Sequence, residues 1–263
     1  MDLGLRGKTA LVGGASRGLG LAIAETLAAE GTSLVVCSRD ERAIQEAAES
    51  IANDACAEIL PVAADLSSSE DIQRLVNAAR GTFGHVDILI HNTGGPPAGD
   101  FFDHQDTAWQ GAFDGLLLSF VRLVRALVPD MRTRGWGRIV TTTSFTVREP
   151  APRLVLSNAL RTAVVSASRT LAREVAGDGI TVNTIAQGAF ETDRLRSLFA
   201  AQAEASGKTP GEIEAEWTSR IPIGRISQPR ELAALVAFLC SEVAGSITGA
   251  CLPIDGGMTH GLL

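Results

Sequence analysis

The chain has 263 residues, 45% of them hydrophobic and 20% charged, with a net charge of −7. That length allows one large α/β domain or two small ones. The acidic balance argues against a nucleic-acid partner. No apolar stretch reaches membrane-spanning length and the start, Met-Asp-Leu-Gly-Leu-Arg, has no hydrophobic signal core, so no membrane association and a cytoplasmic location are expected.

In chain order, short apolar runs alternate with helical patterns. Ala10, Leu11 and Val12 form a first strand that breaks into glycines at Gly13, Gly14, Gly18 and Gly20, and a helical period starts at Leu19, Ile23 and Leu27. A strand, a tight turn and a helix in that order suit a dinucleotide. Missing side chains let a pyrophosphate approach the backbone, and the helix start faces its charge. A second strand spans 33–37, and Asp40 reads as the cap of a helix with Ile44, Ala47, Ala48 and Ile51 on one face. Strands at 59–63 and 86–91 flank a helix carrying Ile72, Leu75 and Val76. A helix at 106–134, a strand at 138–143, a helix at 154–175 and a strand at 180–186 follow. Strands apolar throughout must be covered on both faces, so the sheet is parallel with helices on each side. No linker-like run divides the chain, and one domain over 1–263 is expected. The polar, Ala- and Glu-rich insertion at 193–220 is a candidate substrate lid, with Trp217 as its anchor. Cys37, Cys56, Cys240 and Cys251 include no Cys-x-x-Cys pair and predict buried free thiols rather than a metal site.

These residues resemble the short-chain dehydrogenase/reductase family over nearly the whole chain. The resemblance rests on Gly14-x-x-x-Gly18-x-Gly20, Asp65 after the third strand, His91-Asn92-Thr93-Gly94, and Ser144 after the fifth strand. It continues with Asn183, Gly188 to Thr192, Ile221-Pro222-Ile223-Gly224-Arg225 and Ile254-Asp255-Gly256-Gly257. It implies a seven-stranded doubly wound Rossmann sheet, a nicotinamide dinucleotide and a homotetramer or homodimer formed through the long fourth and fifth helices. It also places Gly14, Ser16, Gly18, Leu19, Gly20, Asp65, Leu66, Asn92, Thr93, Gly94, Gly188 and Thr192 against the cofactor.

At the end of the second strand, where an acidic residue would bind the ribose of NAD, stand Ser38 and Arg39, and the glycine turn adds Arg17. Guanidinium groups with a serine hydroxyl suit a 2′-phosphate, so the expected cofactor is NADP(H). The resemblance also implies a serine, a Tyr-x-x-x-Lys pair about thirteen residues on and a helical asparagine. Here Ser144 is present, but the pair falls on Ser157 and Arg161, the asparagine position falls on Leu116, and the chain contains no tyrosine at all. A serine hydroxyl is a far weaker acid than a phenol. An arginine stays protonated, so it holds ribose and supplies fixed charge but relays protons poorly.

Three readings follow. The first is an NADP(H)-dependent oxidoreductase with Ser144, Ser157 and Arg161 as catalytic residues. It would act on a small acceptor that needs no strong acid, such as an imine or iminium, or on a carbonyl with another proton donor (Ser144 with a water, His91, His104 or Glu149). The second is a non-catalytic NADPH-binding sensor or partner subunit. The third is a non-redox enzyme reminiscent of halohydrin dehalogenases, which have an arginine at the lysine position but retain the tyrosine and lose the glycine loop. Glu149 could meet a cationic substrate, with a surface ion pair as its ordinary role; Phe101 and Phe102 either wall the pocket or pack.

Overall fold

The computed structural model describes residues 1–55 and 57–261. Its strands are β1 (Thr9–Gly13), β2 (Ser33–Ser38), β3 (Ile59–Ala63), β4 (Ile88–His91), β5 (Gly137–Thr142), β6 (Ile180–Gln187) and β7 (Cys251–Ile254). All pair in parallel, in the order β3-β2-β1-β4-β5-β6-β7. The order reverses between β1 and β4, and the crevice beyond the strand ends at such a switch point is where ligands bind.

Alternation along each strand sends side chains to opposite faces. Ala10, Val12, Leu34, Val36, Ile88 and Ile90 point to a core shared with α1 (Gly18–Ala29), α2 (Glu41–Asp54) and α9 (Pro229–Cys240). Leu11, Val35, Leu89, Ile139 and Val182 point the other way. They meet α3 (Ser69–Phe83), α5 (Ser119–Arg134) and α6 (Val155–Val175). Both faces of the sheet are covered, as the unbroken apolar strands require.

Local chemistry fixes the helix starts. The Asp40 carboxylate accepts from the Ala43 amide at 3.0 Å, and Ser68 accepts from the Asp71 amide at 3.2 Å. The helix expected at 106–134 is not one regular helix. It runs as α4 (Asp106–Ala112), a π-helical turn over Phe113–Leu118, and α5. Ser119 holds the wide turn by donating its hydroxyl to the carbonyls of Gly115 and Leu116 at 2.8 and 3.2 Å. Such turns insert a residue into the ladder and recur at functional sites.

The 193–220 insertion forms two helices, α7 (Asp193–Ser206) and α8 (Pro210–Ser219), with their own small core of Phe199, Ala203 and Ile213. Thr209 and Glu212 close a capping box at the start of α8. Among the described cysteines, Cys37 and Cys240 are buried, and burial pushes both thiols up to about 12. Cys251, on the edge strand β7, is only half-buried, contrary to expectation, and Cys56 lies outside the described residues. Among the described residues no cluster could hold a metal ion, and no helix is long and apolar enough to cross a membrane.

Candidate active site

A cleft of about 1060 Å³ opens at the carboxyl ends of β1 to β6. Every residue assigned above to the cofactor, and Ser144, Ser157 and Arg161, line it, together with Leu116, Phe145, Arg194 and Trp217, whereas the alternative proton donor His91 does not. Phe101, Phe102, His104 and Glu149 do not line it. Phe102 is 94% exposed, and Glu149 faces His260 at 3.5 Å.

The glycine turn is shaped by close approach. A Cβ on Gly20 would lie 2.1 Å from the carbonyl oxygen of Gly14, and one on Gly14, at φ +58, would lie 2.9 Å from Nδ2 of Asn92. Asn92 explains this tightness. Its amide donates to the Gly13 carbonyl at 2.9 Å, while its side-chain oxygen accepts from the Thr142 hydroxyl at 2.7 Å. The turn is thus pinned to β5. Directly after it, α1 starts without a side-chain cap and without an acid in its first turn, unlike α2 and α3. The amides of Gly18, Leu19 and Gly20 therefore have no capping partner and stand at the cleft wall. That arrangement fits an anion such as a diphosphate.

The rim beyond β2 is basic. Arg17 and Arg39 are both exposed, and Ser38 donates its hydroxyl to the Asp40 carbonyl at 2.9 Å. Asp40 itself is occupied as a helix cap. Asp65 accepts from the amide and hydroxyl of Ser67 at 2.9 and 2.8 Å. Two other positions have packing duties of their own. A Cβ on Gly188 would lie 2.7 Å from Cα of Asp255, and Thr192 caps α7 by accepting from the Leu195 amide at 3.3 Å.

At the other end of the cleft Ser144 follows β5, and its Oγ accepts from the Thr146 amide at 3.2 Å. Ser157 and Arg161 lie one turn apart on α6, facing the same way. The Ser157 Oγ sits 3.5 Å from the hydroxyl of Thr146, which thereby links the two serines. Arg161 is 7% exposed and donates to the Thr142 carbonyl at 3.0 Å. Burial, and then the charge of Arg194, pull its pKa down to about 10, which leaves it protonated at neutral pH.

Sequence reasoning missed four contributors: Thr146, Thr142, Ser119 and Arg194. Only Arg194 carried a signal. A cation in the first turn of a helix opposes the helix dipole, so its place there asks for another reason. In the fold Arg194 reaches across the cleft and donates to the Pro96 carbonyl at 2.9 Å.

His91 is buried at the end of β4, with Nε2 2.8 Å from the Ser119 hydroxyl. Since that hydroxyl gives its proton to a helix carbonyl, Nε2 is the donor, and Nδ1 is left without a partner. Burial, followed by the charge of Arg161, lowers its pKa to about 3, so it serves as a neutral structural group. The unfolded chain takes up this proton below its ordinary value of 6.5, whereas the native state refuses it down to about 3. The stability tied to His91 is therefore intact above 6.5 and is lost as the pH falls through that window. Thermal melts between about pH 7 and 4 should show His91→Asn losing less Tm than the parent over that interval. Parallel curves would refute this assignment.

A doubly wound sheet whose glycine turn, uncapped helix and basic rim open on one cleft defines a dinucleotide-binding protein of the Rossmann class. The sequence profile described as Enoyl-(Acyl carrier protein) reductase matches residues 14–259. The chain is 34% identical to the 3-oxoacyl-(acyl-carrier-protein) reductase FabG of Escherichia coli over 256 residues, covering 97% of this chain and 99% of that one. It is 33% identical to the FabG of Vibrio cholerae, with the same coverage. Among solved structures, L-sorbose reductase from Gluconobacter frateurii complexed with NADPH and L-sorbose superposes with a TM-score of 0.95 at 35% identity, over 100% of both chains. An actinorhodin polyketide ketoreductase with NADPH superposes at 0.92 and 31% identity, over 95% of this chain and 97% of that one. The chain belongs to the short-chain dehydrogenase/reductase family of NAD(P)-dependent oxidoreductases.

Proposed function

We propose that this protein is an NADP(H)-dependent oxidoreductase that reduces a small carbonyl or neutral imine, using Ser157 and Arg161 where the family's tyrosine and lysine are expected. The observation that carries the reading is the convergence of Ser144, Ser157 and the buried, protonated Arg161 on one end of a cleft whose other end is the glycine turn and its basic rim. When bound, NADPH supplies two electrons and a proton equivalent to the acceptor carbon. The uncapped start of α1 would face the diphosphate. Arg17, Ser38 and Arg39 would hold the 2′-phosphate, and Arg161 the nicotinamide ribose. Gly14, Ser16, Gly18, Leu19, Gly20, Asp65, Leu66, Asn92, Thr93, Gly94, Gly188 and Thr192 would complete the cofactor's surroundings.

Ser144 would orient the acceptor by hydrogen bonding its heteroatom. Fixed positive charge on Arg161 would meet the negative charge that develops there, which is electrostatic rather than acid catalysis. Protonation of the product then falls to solvent, because the serine hydroxyl is too weak an acid and the guanidinium holds its proton. The same charge repels an iminium, and Glu149 lies outside the cleft, so a carbonyl or an uncharged imine fits this end better than a cation. We place the α7–α8 pair as the substrate lid, because Trp217 lines the cleft while stacking edge-on against Phe145 at 6.2 Å, and Arg194 spans it. Assembly as a homotetramer or homodimer in the cytoplasm belongs to the same reading, through its likeness to the family.

NADPH oxidation against a panel of ketones and imines tests the reading, and binding of NADPH without turnover of any acceptor would favour the sensor. Hydrogen bonds to charged groups are worth about 1.5–3 kcal/mol. The kcat/KM for NADPH should therefore exceed that for NADH by at least about tenfold, and Arg39→Ala should lower it by about ten- to a hundredfold while sparing NADH. A higher kcat/KM with NADH would overturn the cofactor assignment.

A further inference from the structure

Arg161 is a buried cation with unfinished bonding. A guanidinium has five N–H donors, and this one meets a single protein acceptor, the Thr142 carbonyl. No carboxylate among the described residues pairs with it, although an unpaired buried charge is strongly disfavoured. Its remaining donors are not sealed into the protein; they open on the cleft. Arg194, in the first turn of α7, lines the same cleft, donates to the Pro96 carbonyl at 2.9 Å and forms no ion pair among the described residues, and its charge also depresses the pKa of Arg161. The acids of the cleft are engaged elsewhere: Asp40 caps α2, Asp65 bonds Ser67, and Asp193 pairs with Arg196 at 2.7 Å. A protein with a net charge of −7 thus keeps two uncompensated guanidinium groups at the reacting end of its cleft. One turn before Arg161 on α6 stands only the short Ser157, whose hydroxyl lies 3.5 Å from that of Thr146.

The geometry points to a substrate with a carboxylate directly beside the carbonyl it reduces, a 2-oxo acid. Its carbonyl oxygen would lie on Ser144 and Arg161, and its carboxylate between Arg161 and Arg194. This rests on the reductase reading above and names its substrate class. A planar guanidinium suits a carboxylate because it offers paired donors as well as charge. The chemistry balances with the established cofactor class. The carbonyl carbon gains a hydride equivalent from the dihydronicotinamide, which is oxidised. The C=O π pair moves to oxygen, and that oxygen takes one proton from solvent, giving a 2-hydroxy acid. With the oxygen held on a fixed cation, the step depends less on the acid that the chain lacks.

Phenylglyoxylate and its methyl ester, which share the ketone and differ in the charge, test the proposal. Calorimetry on the protein loaded with NADP+ should show the acid binding at least about tenfold more tightly than the ester, and kcat/KM with NADPH should differ in the same sense and size. Arg194→Gln, an exposed position that should not disturb folding, should shrink the acid's advantage by about three- to tenfold while leaving NADPH affinity within about twofold. An ester that binds and reacts as well as the acid overturns the proposal and leaves the reductase reading standing. An equal loss of NADPH affinity in Arg194→Gln also overturns it, because the anion served is then the cofactor's diphosphate. Selective binding of the acid with no turnover of either compound supports the carboxylate site and removes the reductase reading instead.

Discussion

Arg161→Ala is expected to lower kcat/KM by about a hundred- to a thousandfold and to weaken NADPH binding, whereas Ser157→Ala should change either by less than about tenfold. The asymmetry follows from what each side chain contributes. Arg161 is the buried charge at that end of the cleft, and on the proposed reading its loss would remove both a ribose contact and the field that stabilises the transition state. Structural damage should be limited to the one hydrogen bond it makes within the protein, to the Thr142 carbonyl, worth about 1.5–3 kcal/mol for a charged donor. The Ser157 hydroxyl has one hydrogen-bond partner among the described residues, the hydroxyl of Thr146, at the long distance of 3.5 Å. Steady-state kinetics with NADPH, alongside fluorescence titration of the cofactor, separate the two variants. An equal, total loss in both would show that the Ser157 hydroxyl takes part in the chemistry.

Ser157→Tyr combined with Arg161→Lys should raise reduction of unactivated ketones by about a hundred- to ten-thousandfold, the usual range for regaining a general acid. The backbone needed to receive a phenol is in place. Both positions lie on one face of α6, Ser144 stands across from them, and the π-helical turn with Leu116 still packs beside that face through Leu156 and Leu160. The same change should abolish any preference for a carboxylate next to the carbonyl, because the ring fills the space in front of residue 161. Progress curves with a simple cyclic ketone decide the matter. No gain in a variant that still binds NADPH would mean that the surroundings have moved away from acid catalysis as well.

Most of the fold was legible because burial leaves a periodic trace. Continuous apolar runs between helical periods placed the sheet, and Asp40 was read as a helix cap, as the Ala43 bond shows. Strand ends differed by one or two residues. The π-helical turn was not legible, since one extra residue inside a long apolar helix leaves the sequence pattern almost unchanged. The break between α7 and α8 was readable in principle from Thr209-Pro210 and Glu212, a capping box with proline at the first helical position. In the cleft, motif residues gathered as expected. What stayed invisible was long-range bonding between ordinary residues: Asn92 to Gly13 and Thr142, His91 to Ser119, Arg194 to Pro96. Such pairs are set by the approach of distant segments, which no local pattern encodes.

The bare start of α1 also ties the lifetime of the chain to metabolism. A ligand held by the folded state alone shifts the unfolding equilibrium by mass action, about 2.7 kcal/mol at a hundred times its dissociation constant. A nucleotide resting on those amides therefore acts as a chaperone as well as a reagent. Starved of it, a cell would clear this protein faster, and abundance would follow coenzyme supply.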